Sequence, residues 1–117
     1  MFFAHSLKTP IWVASSSVVN WIRQFGTPAA YDINCRGLTA MADMMAFGPR
    51  YLDYRRSVTS NAIAENFHDF DRVWIGKTPV DLTDIFASDA NFYVESVMPG
   101  AGGIAQIMFR KLTSDAG

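Results

Sequence analysis

The chain has a single cysteine, Cys35, among its 117 residues, so no internal disulfide can staple it. A lone cysteine of this kind usually packs as a small apolar group, and burial is the expectation for Cys35. Histidine is equally scarce, with only His5 and His68. A metal site draws three or four ligands from defined places. The one local grouping, His68 with Glu65, Asp69 and Asp71, is read as a solvated polar face. No metal site, cofactor or catalytic residue is expected. Charge is sparse too: 18% of residues are charged, against about 25% in ordinary domains. The net charge of −1 excludes nucleic-acid binding driven by bulk charge alone. No apolar run reaches the roughly 18 residues of a membrane span. Residues 1–8 lack the basic start of a signal peptide. A single soluble, intracellular domain over residues 1–117 without a membrane partner is expected, whole or as a piece of something larger.

What is present in excess is apolar surface. Half the residues are hydrophobic, with nine Phe and three Trp. A chain this long buries roughly two-thirds of its surface on folding, so some of that load is expected to cover a partner. The charges are unevenly placed. Residues 1–58 carry six Lys/Arg and three Asp, whereas residues 59–96 carry seven Asp/Glu against Arg72 and Lys77. Such polarity orients neighbouring chains in an assembly.

Residues 10–14, Pro-Ile-Trp-Val-Ala, are short, apolar and β-branched, and predict a buried strand. Val18, Trp21, Ile22 and Phe25 recur at helical spacing after three serines, which predicts a helix over 17–25 ended by Gly26 and Pro28. Residues 26–37 are rich in turn formers and read as loop. Leu38, Met41, Met45 and Leu52 fall near one helical face, with Met41, Met44 and Met45 as adaptable packing groups. Ile63, Phe67, Phe70 and Trp74 make the best helical stripe, starting at a cap on Asn61. The β-prone residues 72–75 temper it, so a helix over part of 61–70 and a strand near 72–75 are expected. Asp81 and Asp84 read as caps of short turns.

The C-terminal part predicts a β-hairpin. Two strand-like runs, 91–98 and 104–112, flank Pro99-Gly100-Ala101-Gly102-Gly103. That glycine loop lacks the following Lys-Ser/Thr of a phosphate-binding loop. Neither face of the hairpin is cleanly polar, which predicts packing on both sides. The last five residues, 113–117, are expected to be loose.

One stretch combines charge with stacking surface: Arg50, Tyr51, Tyr54, Arg55 and Arg56. Arginine and tyrosine suit protein interfaces and single-stranded nucleic acid; composition favours the protein interface. The expected fold class is mainly β with helical or irregular insertions, with a small α+β binding or adaptor domain as the alternative.

The motif Pro49-x-Tyr51-Leu52-Asp53-Tyr54-x-x-Ser57-Val58, followed by Asn66-Phe67, resembles a segment of microvirus major capsid proteins, especially the gokushovirus-like group. A second patch is similar to the same family: Asp81-Leu82-Thr83, then Ile85-Phe86-Ala87-x-Asp89-Ala90-Asn91-Phe92-Tyr93-Val94-Glu95. Together the patches cover about residues 49–95. The family's glycine before Asn-Phe is Glu65 here, its basic run is reduced to Arg110-Lys111, and its members are several times longer. The resemblance implies a β-jelly-roll shell protein of a small single-stranded DNA bacteriophage, located in the virion and in the host cytoplasm during assembly. Its implied partners are copies of itself, other virion proteins and single-stranded DNA. Tyr51, Leu52, Tyr54, Phe92, Val94, Ile107 and Phe109 are then the candidates for packing between subunits. Arg50, Arg55 and Arg56 are the candidates for DNA or subunit contact.

Overall fold

The apolar run at 10–14 does form a strand. β1 (Lys8–Ala14) turns Ile11 and Val13 into one core cluster and Trp12 toward another, the alternation a strand imposes. The computed structural model describes residues 8–37, 45 and 48–112, and these are mainly β. The other strands are β2 (Ser16–Val19), β3 (Ile22–Phe25), β4 (Ala29–Asn34), β5 (Arg36–Gly37), β6 (Tyr54–Ser60), β7 (Arg72–Ile75), β8 (Phe92–Pro99) and β9 (Ile104–Lys111). A helical turn, α1 (Asn61–Ala64), and two 3-10 turns, Gly48–Asp53 and Ala101–Gly103, lie between the strands.

Among the described residues every pairing is antiparallel. β1 lies between β4 and β7; β7 continues to β8, β9, β6 and β5. Only Cys35 separates β4 from β5. Residues 29–37 therefore act as one bent strand that pairs with β1 first and with β6 at its end. The two ends of the strand order are therefore consecutive parts of one bent strand, and the sheet curls round on itself as a barrel of six strands.

Asn34 makes the seam. Arg36 stands opposite Arg56 and Gly37 opposite Arg55, so the same register puts Asn34 opposite Val58. The Asn34 backbone is already aligned on Lys8 of β1. Its side-chain amide serves β6 instead: Nδ2 donates to Val58 O at 2.8 Å and Oδ1 accepts from Val58 N at 3.0 Å. Asn91 plays the same part between β7 and β8. Its Oδ1 accepts from Ile75 N at 3.0 Å and its Nδ2 donates to Ile75 O at 2.9 Å.

The barrel interior holds Ile11, Val13, Ile33, Val73, Val94, Ile107 and Phe109 in one cluster. Each contributes about 1.5–3 kcal/mol by leaving water. Phe67 plugs the end at which β6 and β8 finish. Its ring centroid lies 5.5 Å from Tyr31 and 5.9 Å from Phe109, the latter edge-on. A second cluster outside β1 and β7 joins Ala14, Phe25, Trp74 and Ala87.

The C-terminal hairpin forms as its turn residues predict. Gly100 is needed there, since a Cβ would lie 2.7 Å from Ile104 O. A bulge between Val94 and Ser96 turns Val97 inward and leaves Met98 outside. That reverses the faces that simple alternation assigns to these two residues.

Two expectations are corrected, and a helix over part of 61–70 is present with a different cap. Residues 17–25 are not a helix but the β2–β3 hairpin, because Val18, Val19 and Ile22 are β-branched and Asn20-Trp21 makes a tight turn. Residues 26–37 are not all loop. Asp32 lies on the exposed face of β4, and Ile33 lies in the core. The helix in 61–70 is one turn, capped by Ser60 rather than Asn61, with Ser60 Oγ accepting from Ile63 N at 3.3 Å. The chain then leaves the helix so that Phe67 can enter the barrel. Of the stripe Leu38, Met41, Met45 and Leu52, Met45 and Leu52 are exposed; Leu38 and Met41, like Met44 and the tail 113–117, lie outside the described residues.

Candidate docking surface

The β2–β3 hairpin stands off the barrel as an arm. Val19 is aligned with Ile22, so Asn20 and Trp21 form a two-residue loop. Both have positive φ, 52° and 68°, the pattern of a type I′ turn. Asparagine tolerates that conformation; tryptophan does so only under strain. The Trp21 side chain is nevertheless 97% exposed, and Val18, Val19 and Ile22 around it are exposed as well.

The base of the arm is firmly tied. Asp71, buried, accepts from Ser16 N at 2.9 Å through one carboxylate oxygen and from His68 N at 2.9 Å through the other. Phe25 N donates to Ile85 O at 2.7 Å, and Gly26 N to Ser15 O at 2.9 Å. Arg72 stacks over Phe25 at 4.8 Å, and Arg23 over Phe70 at 5.4 Å. Arg23 also donates to Ser16 Oγ. The expectation of a solvated polar face is therefore corrected for Asp71, which is an internal tie; Glu65, His68 and Asp69 are exposed.

Beside the arm runs the loop from β7 to β8. Its aspartates organise it by accepting backbone N–H groups, as their capping pattern predicts. Asp81 accepts from Thr83 N at 2.9 Å, and Asp84 from Phe86 N at 3.0 Å and Ser88 N at 2.9 Å. These bonds hold both carboxyls below the usual carboxylate range, led at Asp81 by the Thr83 hydroxyl and at Asp84 by Ser88 N–H. Val80, Leu82, Ile85 and Phe86 remain exposed on this loop.

A cleft of about 540 Å³ opens between α1 and the end of β8. Ala64, Phe67, Val97 and Pro99 give it an apolar lining, and Glu65 and His68 stand at its exposed rim. Met98 and Ile104, also exposed, extend from the same strand ends.

The residues singled out from the sequence fall into three groups. Phe92, Val94, Ile107 and Phe109 lie in this chain's own core, so their packing is within the subunit rather than between subunits. Tyr54 is also buried, only 8% exposed, under the Arg110 guanidinium 5.5 Å from its ring. Burial, aided by Glu95, raises its phenol pKa. Leu52 alone of the packing candidates with described side chains is exposed. Arg55 is engaged internally: it stacks over Phe92 at 5.3 Å and donates to Leu52 O at 3.0 Å and Tyr54 O at 2.9 Å. Arg56 lies on the opposite side of β6, aligned with Met108. The side chains of Arg50 and Tyr51 lie outside the described residues. The described side chains of the arginine–tyrosine stretch, Tyr54, Arg55 and Arg56, are thus not gathered into one exposed patch.

Cys35 packs against the core but is only half-buried, where burial is the expectation. Burial pushes its thiol up to about 11, against the opposing pull of Arg55. A thiol so protonated is a poor nucleophile. Among the described residues no three potential metal ligands come together, and no helix is long and apolar enough to cross a membrane.

The arm is what the sequence reading missed. Its signal was Val18-Val19-Asn20-Trp21-Ile22, in which asparagine opens a dipeptide between β-branched neighbours. Comparison with protein-family models, with curated proteins and with solved structures finds no match.

Proposed function

We propose that the chain is a structural protein that works by associating with copies of itself, as a shell subunit of a small single-stranded DNA phage. The observation that supports self-association most is the tethered arm with Val18, Val19, Trp21 and Ile22 turned to solvent. Exposed apolar groups grouped on a firmly held element mark a contact surface. The phage assignment rests on the sequence resemblance over residues 49–95. On that reading the six-stranded barrel is a piece or reduced form of a jelly roll, which normally has eight strands. Of the arginines proposed for DNA or subunit contact, Arg56 lies on the side of β6 away from Arg55, aligned with Met108. A second reading, a domain that recognises a different protein, is favoured by the same arm if its target is not this chain.

Electron microscopy of the concentrated chain tests the proposal. Regular closed or tubular particles are the expected result. Dispersed single barrels at every concentration would remove the shell reading and leave the binding-domain one.

A further inference from the structure

We infer that the arm of one copy docks in the α1–β8 cleft of the next, with Trp21 as the anchor. This rests on the self-association reading and gives it a geometry. The first observation is the strain at Trp21. A two-residue turn with both φ positive is best served by Asn-Gly, and a large L-residue there costs stability. Trp21, at φ 68° and 97% exposed, offsets that cost with no burial in its own chain. Strain retained at an exposed aromatic points to contact with something else.

The second observation is a receptor of matching chemistry. The cleft is large enough for an indole ring and is lined by Ala64, Phe67, Val97 and Pro99. Val18, Val19 and Ile22, all exposed, flank the anchor. Arg23 is the only charge in residues 15–26, and Glu65 is the only carboxylate lining the cleft, so the contact joins opposite signs. Every copy carries one arm and one cleft, made of different residues. The contact is therefore heterologous, and it closes into a ring or runs on as a filament unless two copies exchange arms.

The test uses tryptophan emission, read against the Trp21 variants because Trp12 and Trp74 also emit, and mass by sedimentation, on the full chain. Trp21→Gly restores Asn-Gly at the turn and is expected to fold while associating about 30-fold or more weakly, the loss typical of an aromatic anchor. Trp21→Asn is the second variant should glycine loosen the hairpin. Glu65→Arg, at an exposed rim position, is expected to weaken association from the other side. Mixing Trp21→Gly with Glu65→Arg leaves one intact arm and one intact cleft, and is expected to form 1:1 pairs and nothing larger. Wild-type emission is expected to shift to shorter wavelength as association proceeds. If the wild type assembles and both Trp21 variants assemble equally well, the docking inference fails while self-association stands. If the wild type stays monomeric, both fail. Emission that shifts only with lipid vesicles also overturns the docking.

Discussion

At the scale of single residues, side-chain amides do work usually left to the backbone. Asn34 and Asn91 each offer a donor and an acceptor in the geometry of a peptide group, and each binds both polar groups of one residue on a neighbouring strand. Asn91 serves Ile75 in a part-buried place, whereas the Asn34–Val58 bonds are exposed. Unmet polar groups cost more where water cannot replace the partner. Asn91→Ala is therefore expected to lower unfolding free energy by about 1–3 kcal/mol and Asn34→Ala by less; urea titrations that reverse this ranking would contradict it.

Cys35 supplies a pH test at the same scale. Its folded pKa of about 11 lies above its ordinary value of 9.0. The folded state thus favours the neutral thiol, and that preference is complete below pH 9 and lost as pH rises toward 11. Two pH units correspond to roughly 2–3 kcal/mol when the loss is complete. Wild-type stability should fall more steeply than that of Cys35→Ala across this window; equal slopes would show that the thiol is not held neutral by the fold.

At the scale of elements, Asp71 couples two neighbours. Its carboxylate holds the first residue of the arm and the loop that forms the cleft rim. Asn offers one acceptor oxygen in place of two and turns an NH₂ toward a backbone donor. Asp71→Asn is expected to cost about 2–3 kcal/mol and to raise amide exchange at Ser16 and His68 together. Faster exchange at only one of them would break the proposed link. The arm makes a converse prediction. Trp21→Gly relieves a left-handed tryptophan at a small entropic cost, so the thermal midpoint is expected to hold or rise; a clear fall would mean that Trp21 stabilises its own barrel.

Elements also show why parts of the fold were legible. Residues 91–112 announce a hairpin because Pro99 and Gly100 interrupt two β-prone runs. Residues 17–25 mislead because Val18, Trp21, Ile22 and Phe25 satisfy helical spacing while their branched side chains and the Asn20 turn suit a hairpin. Tertiary pairing decides between the two. Residues 29–34 looked like loop because Asp32 and Asn34 sit on the outer face, where polarity carries no penalty.

At the scale of the whole molecule, barrel closure was not legible at all. It depends on a strand changing partners at Cys35 and on an amide meeting Val58 across 24 positions of chain. No local pattern encodes that meeting. The candidate surface was partly legible: excess apolar content predicted an uncovered face, but it was placed on residues such as Phe109 that the barrel interior claims. Once the core is assigned, the exposed apolar groups of the described residues include those of the arm, the β7–β8 loop and the hairpin end, Met98 and Ile104.

The account therefore rests on association between copies. Sedimentation equilibrium of the full chain over a wide concentration range measures it most directly. The expected result is a reversible rise in mass above the monomer with increasing concentration, diminished by Trp21→Gly. A mass that stays at one chain throughout would contradict the account.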